Sequence, residues 1–171
     1  MIESKYLKND VKNIQRLLAI PTLQKFETES LGRLLKLSKI RRYDSNECII
    51  REGDQDPWLY FLLSGRVRVT KEGVELFKIN TIGDLFGEMR IVDSSSRSAS
   101  VYAEAPTACL AINTSGKKGF GIADSGDRDV EFLLLLYRIF AEFVSIRLRI
   151  TNEELVTAKR KIEELKQNKG Q

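Results

Sequence analysis

Between Ile40 and Ile112 the chain cannot sustain a long helix. Turn signals at Gly53-Asp54, Ser64-Gly65, Glu72-Gly73 and Gly83-Asp84 divide it into short runs rich in branched and aromatic residues: CIIREGD, WLYFLLSGRVRVTKEG, VELFKINTIGD, SASVYA and TACLAI. Gly73 between RVRVTKE and VELFKI is a hairpin signal. Many short strands joined by frequent turns predict a double-sheet jelly roll or a barrel.

Different textures flank this region. From about Lys8 to Lys36 the spacing is helical: Val11, Ile14, Leu17 and Leu18 repeat on one face until Pro21 stops them. Glu27, Thr28 and Glu29 start a second helix, with Leu31, Leu34, Leu35 and Leu37 as its apolar face. After Ile112 comes NTSGKKGFGIADSGD, a loop with room for one short helix. From Arg128 to about Lys166 there is neither Gly nor Pro, which predicts one long helix. Its apolar positions repeat every seven residues: Leu134, Ala141, Leu148, Leu155 and Ile162, with Tyr137, Val144, Thr151, Ala158 and Leu165 between them. The first half is apolar nearly all round and is expected to be covered on two sides. The second half is a narrow seam that a second copy of the chain would bury in a coiled coil; folding back on its own domain is the alternative.

The expected class is α+β, mainly β: a jelly-roll (double-stranded β-helix) body with N-terminal helices and a long C-terminal coiled-coil helix. The expected divisions are 1–38, 39–125 and 126–171. Such a body suits a chain of 171 residues that is 42% hydrophobic and 30% charged. The net charge of +4 is not gathered into a block, since Lys159, Lys161, Lys166 and Lys169 alternate with Glu153, Glu154, Glu163 and Glu164. That is a solvated helix face, not a nucleic-acid stripe. The absence of histidine removes the commonest metal ligand and general base, so neither a metal nor catalysis is expected. Cys48 and Cys109 lie in apolar strand-like runs, as buried free thiols or as one disulfide. The N-terminus lacks the apolar region of a signal peptide. FLLLLYRIFAEFVSI is short for a membrane span and contains Arg138 and Glu142. A cytoplasmic protein without membrane attachment is expected.

One stretch carries chemistry: FGEMRIVDSSSRSASVYA, Phe86 to Ala103. A glycine before a short helical turn leaves backbone N–H groups free for an anion. Arg97 can close over that anion with its guanidinium fork, and the Ser98 hydroxyl can add a hydrogen bond. Glu88 repels an anion but accepts hydrogen bonds from a sugar, or orients the arginine. The set suits a phosphate joined to a ribose; an ordinary surface turn with an internal Glu–Arg pair is the competing reading.

FGEM…RSASVYA resembles the phosphate-binding cassette of cyclic nucleotide-binding domains, the family of the bacterial catabolite activator protein and of the regulatory subunits of cyclic-nucleotide-dependent kinases. IIREGD, YFLLSGRVRV and IGDLFGE follow in the family's order, and the likeness runs from about Leu17 to Ile112 and on into the long helix. The resemblance implies an eight-stranded β-roll in which Glu88 takes the ribose 2′-hydroxyl and Arg97 the cyclic phosphate. Phe86, Gly87, Met89, Arg90, Ser98 and Ala99 complete the cassette. RLRITNEEL, from Arg147 to Leu155, resembles the dimerisation helix of the catabolite activator protein. It implies Thr151 on the base in cis, Asn152 on it from the second subunit, and Arg147 toward Glu88; a shorter alignment brings Glu142 and Ser145 over the pocket instead.

Arg90 departs from the family pattern, which has a small residue there. It can point to solvent, add a second charge for a more anionic ligand, or fill the phosphate site. The resemblance therefore implies a non-enzymatic sensor for cyclic AMP, a homodimer through the long helix that signals to an unknown protein partner. The alternatives are an interaction module that kept the fold and lost the ligand, and the ligand-sensing part of a transcription regulator. No recognition helix follows the last heptad before Gln171, so direct DNA contact by this chain is not expected.

Overall fold

The computed structural model describes residues 2–3, 24, 32, 34–35, 38–89, 95–114 and 127–168. The first expected helix and the 115–126 loop fall outside them. Of the second helix, Gly32, Leu34 and Leu35 are described and helical. The chain divides into two units, Met1–Leu135 and Leu136–Gln171.

The first unit is built on nine strands among the described residues: β1 (Ile2–Glu3), β2 (Ser38–Tyr43), β3 (Cys48–Ile50), β4 (Trp58–Ser64), β5 (Val67–Lys71), β6 (Val74–Ile79), β7 (Leu85–Phe86), β8 (Ser100–Ala103) and β9 (Thr107–Asn113). They form two sheets, ordered β1-β2-β9-β4-β7 and β3-β8-β5-β6. Every pairing is antiparallel. This is the expected β-roll, with the two-residue β1 as an edge the sequence did not signal.

Strand alternation explains the core. In β4 and β9, Tyr60 faces Ala111 and Leu62 faces Cys109 across the ladder. These side chains, with Tyr43 and Phe86, pack against Ile50, Val67, Val69, Ile79, Val101 and Ala103 of the other sheet. The alternate residues Leu59, Phe61, Leu110 and Ile112 are fully buried on the opposite face of the same sheet. A sheet buried on both faces reads as an unbroken apolar run, which is what WLYFLL is. Each such side chain contributes about 1.5–3 kcal/mol through burial. The Ser38 hydroxyl donates to the Leu34 carbonyl, fastening the helical residues to the start of β2.

The hairpin at Gly73 is present. Lys71 pairs with Val74, leaving a two-residue loop in which Glu72 (φ 50°) and Gly73 (φ 80°) are both left-handed, the geometry of a type I′ turn. Both cysteines are free thiols. Cys109 is buried, which pushes its thiol up to about 12, while Cys48 is half-buried.

The second unit belongs to one long helix, α1 (Asp127–Asn168), whose 42 residues span roughly 63 Å. Lys166 in its last turn suits the helix dipole. Leu136, Ile139 and Phe140 are buried, and Tyr137 meets Phe140 edge to face at 6.1 Å. All ten heptad positions, from Leu134 to Leu165, are exposed. Leu134, Tyr137 and Val144 are exposed beside these buried residues. No helix among the described residues is long and apolar enough to cross a membrane.

Candidate functional site

The site is assembled where β7 ends and β8 begins. β7 pairs Phe86 with Tyr60 of β4, and their rings stack at 5.2 Å. The chain then turns through Gly87, with φ at 81°. Arg97 lies on the other side of the cassette loop and is 4% exposed.

Four contacts hold the Arg97 side chain against protein. Its Nε donates to Asp56 Oδ2 at 3.0 Å and one Nη donates to Asp56 Oδ1 at 2.7 Å, a two-pronged ion pair. The same Nη donates to the Trp58 carbonyl, and the other Nη donates to the Gly87 carbonyl at 2.6 Å. Four of the five guanidinium N–H donors are thus engaged. Its backbone is pinned too: Arg97 N donates to Asp54 O at 2.8 Å, and Gly53 N donates to Arg97 O at 2.9 Å. The REGD turn is the bracket that holds this arginine.

Gly87 is required twice. Its φ is left-handed, and a Cβ there would lie 2.8 Å from an Arg97 nitrogen and 3.3 Å from the Trp58 carbonyl oxygen. Glu88, next in the chain, is 3% exposed. A carboxylate so buried must be hydrogen-bonded or paired to stay charged.

Asp56 was not singled out in the sequence, and it organises the site. The Trp58 N–H donates to Asp56 Oδ1 at 3.1 Å, closing a tight turn around Pro57. The Pro57 carbonyl accepts from Thr114 N at 2.9 Å and from Thr114 Oγ1 at 2.7 Å. Burial pushes the Asp56 carboxyl up, but the hydrogen bonds and charge of Arg97, then the Trp58 N–H and the Arg41 charge, outweigh it and hold the group below its ordinary value. Arg41 is also unforeseen: it is 9% exposed, lies 3.9 Å over the Trp58 ring and donates to the Tyr60 hydroxyl at 3.0 Å.

The remaining cassette residues are placed as follows. Ser98 is exposed; its hydroxyl donates to Met89 Sδ at 3.3 Å, and its carbonyl accepts from Lys71 Nζ at 3.1 Å. Lys71 also pairs with Glu52 at 3.3 Å, while Glu52 N donates to Ser100 Oγ at 3.0 Å. The β5–β6 hairpin is thereby clamped to the cassette. Ala99 packs against the core, and Met89 is half exposed. Arg90 lies outside the described residues. Arg147, half-buried, and the exposed Thr151 and Asn152 lie on α1, in the second unit. The structure thus brings Phe86, Gly87, Glu88, Met89, Arg97, Ser98 and Ala99 to one loop. Among the described residues, no three His, Cys, Asp or Glu side chains come together as metal ligands.

The loop thus holds a buried guanidinium beside a left-handed glycine, a buried glutamate and an exposed hydroxyl. In comparison with known proteins, residues 40–116 match the family model of the cyclic nucleotide-binding domain. Human cGMP-dependent protein kinase 2 is 31% identical over 103 residues, covering 57% of this chain and 14% of the kinase. A cyclic nucleotide-binding domain from Methylobacillus flagellatus KT superposes with a TM-score of 0.68 at 19% identity, covering 85% of this chain and 83% of that one. The catabolite activator protein of Thermus thermophilus superposes with a TM-score of 0.57 at 28% identity, over 79% of this chain and 61% of that one. The chain spans 16% or less of the curated relatives it matches.

The pair predicts a pH-dependent stability. A depressed Asp56 pKa stabilises the fold fully above about pH 4, and the contribution is lost as pH falls through the folded value. Asp56→Asn should destabilise by about 1–3 kcal/mol at pH 7 in urea unfolding, a range reduced because the carboxylate is one-third exposed. The gap to wild type should narrow as pH falls through the lowered folded value of Asp56. A gap independent of pH would mean that the ion pair contributes nothing.

Proposed function

We propose that this chain is a cyclic nucleotide sensor, with cyclic AMP as ligand, that acts as a binding module and not as an enzyme. The observation that carries the reading is the convergence of Gly87, Glu88 and Arg97 in one loop with the guanidinium already aligned by Asp56. The Arg97 N–H left over and the backbone N–H groups after Gly87 would receive the cyclic phosphate, and Glu88 would accept from the ribose 2′-hydroxyl. Ser98, exposed at the cassette rim, favours cyclic AMP by the family pattern, while the kinase relative depends by name on cyclic GMP. Two free thiols are compatible with the reducing cytoplasm.

The second half of the proposal is a homodimer. Ten exposed heptad positions on α1 are a seam with no cover of its own. Pairing of two such helices would let Thr151 meet the base in cis and Asn152 meet it from the partner, with Arg147 near Glu88. Ligand binding would then shift the helix pair between arrangements read by a protein partner.

A second reading rests on the same arginine. Four of its donors are satisfied without any ligand, so a fold that kept Arg97 for stability and lost the nucleotide is consistent with the geometry.

Titration calorimetry with cyclic AMP and cyclic GMP separates the two. Saturable binding by the wild type is expected, weakened at least about tenfold in Glu88→Gln and in Arg97→Lys, which keeps the charge but loses the fork. Circular dichroism should show both variants folded. A folded wild type that binds neither nucleotide supports the second reading. Sedimentation should give the mass of two chains, reduced to one by Leu155→Lys with Ile162→Lys; a monomeric wild type would end the dimer proposal.

A further inference from the structure

Strands β5 and β6 carry a pairing that sheets ordinarily avoid. Arg68 and Lys78 are direct cross-strand partners, and like charges so placed are destabilising. Both stand on the outer face of the four-stranded sheet, because their neighbours Val67, Val69, Phe77 and Ile79 turn toward the core. On its other side Arg68 faces Tyr102 of β8, with the guanidinium 5.2 Å from the ring centroid. Arg66, just before β5, adds a third cation.

One carboxylate in the group answers them. Glu104, immediately after β8, pairs with Lys78 at 2.7 Å and with Arg66 at 3.4 Å. Lys78 also reaches Glu75 at 3.6 Å, and the cations still outnumber the carboxylates. Arg68 pairs with neither. Its Nε is buried without a hydrogen-bond partner, the one buried side-chain nitrogen or oxygen among the described residues in that condition. An unsatisfied buried donor costs about 1–3 kcal/mol, so it calls for an explanation.

These side chains line a cavity of about 260 Å³, completed by Asn46, Asn80 and Glu104. Asn46 is fixed there by a left-handed backbone, φ 66°, and by its N–H to the Ala103 carbonyl at 2.7 Å. Two guanidinium forks, an ammonium and two amides converge on a space far larger than the ~30 Å³ of a water molecule. We propose that this cavity is a second anion site, for a phosphate dianion that is free or the headgroup of a small monoester. Tetrahedral oxygens suit this donor set, in which the guanidiniums supply planar forks and Lys78 a point charge. A planar carboxylate would leave part of it unused.

The site is separate from the cassette. Strand β8 (Ser100–Ala103) separates Ala99 of the cassette from Glu104 by roughly 16 Å along the chain at about 3.3 Å per residue. Its occupancy does not depend on whether the cassette binds a nucleotide.

The test is a titration of the full chain with inorganic phosphate at constant ionic strength, followed by NMR of the arginine Nε–H signals. O-phosphoserine in a parallel titration distinguishes a monoester from the free ion. Phosphate should shift the Arg68 signal saturably, and the shift should persist in Arg97→Lys. Lys78→Gln, which alters an exposed side chain, should weaken binding about tenfold, and Glu104→Gln should tighten it by removing the competing charge. Arg68→Gln should abolish the tightening seen in Glu104→Gln. A shift reproduced by chloride, or unchanged affinity in Lys78→Gln, would overturn the proposal.

Discussion

The contact on which the rest depends is the two-pronged ion pair between Arg97 and Asp56. Without it, a guanidinium that is 4% exposed would sit in a low-dielectric loop with only carbonyls for company. With it, the β3–β4 connection and the β7–β8 connection become a single unit. The Gly53-Asp54 turn grips the Arg97 backbone, the Pro57 turn supplies the carboxylate, and the Gly87 carbonyl takes the remaining Nη. Gly87 has no freedom to vary, because any side chain there would meet the arginine.

This arrangement ties fold to recognition. The fork is oriented without any ligand, so a phosphate bound as proposed would not need to order a flexible side chain. The same fact limits the available chemistry, since only a minority of the Arg97 donors remain for a ligand. In the proposed site, backbone N–H groups after Gly87 would supply much of the phosphate contact. The Lys71–Glu52–Ser100 clamp extends the rigidity from the cassette to the β5–β6 hairpin.

Local features were legible in the sequence. Glycine spacing located the turns, Glu72-Gly73 the hairpin, and a stretch free of Gly and Pro the helix to within two residues at each end. The cassette was legible because its residues are close in sequence. The features that were missed are long-range. Asp56 lies 41 residues from Arg97 and nothing in its spacing points there. Arg41 reads as an ordinary strand residue until the sheet brings Trp58 beneath it. The two-residue β1 is too short for periodicity to register. The Arg68–Lys78 pairing was invisible because register belongs to two strands together.

The measurement that bears most directly on this account is the Arg97 Nε–H signal in NMR, followed without ligand and then with saturating cyclic AMP. The account expects a slowly exchanging signal in the free protein, reporting the Asp56 contact, that moves when the nucleotide is added while the Arg68 signal does not. A signal that exchanges rapidly in the free protein would contradict the prealigned fork. A protected signal indifferent to cyclic AMP would leave Arg97 a structural residue and deny the cassette its ligand.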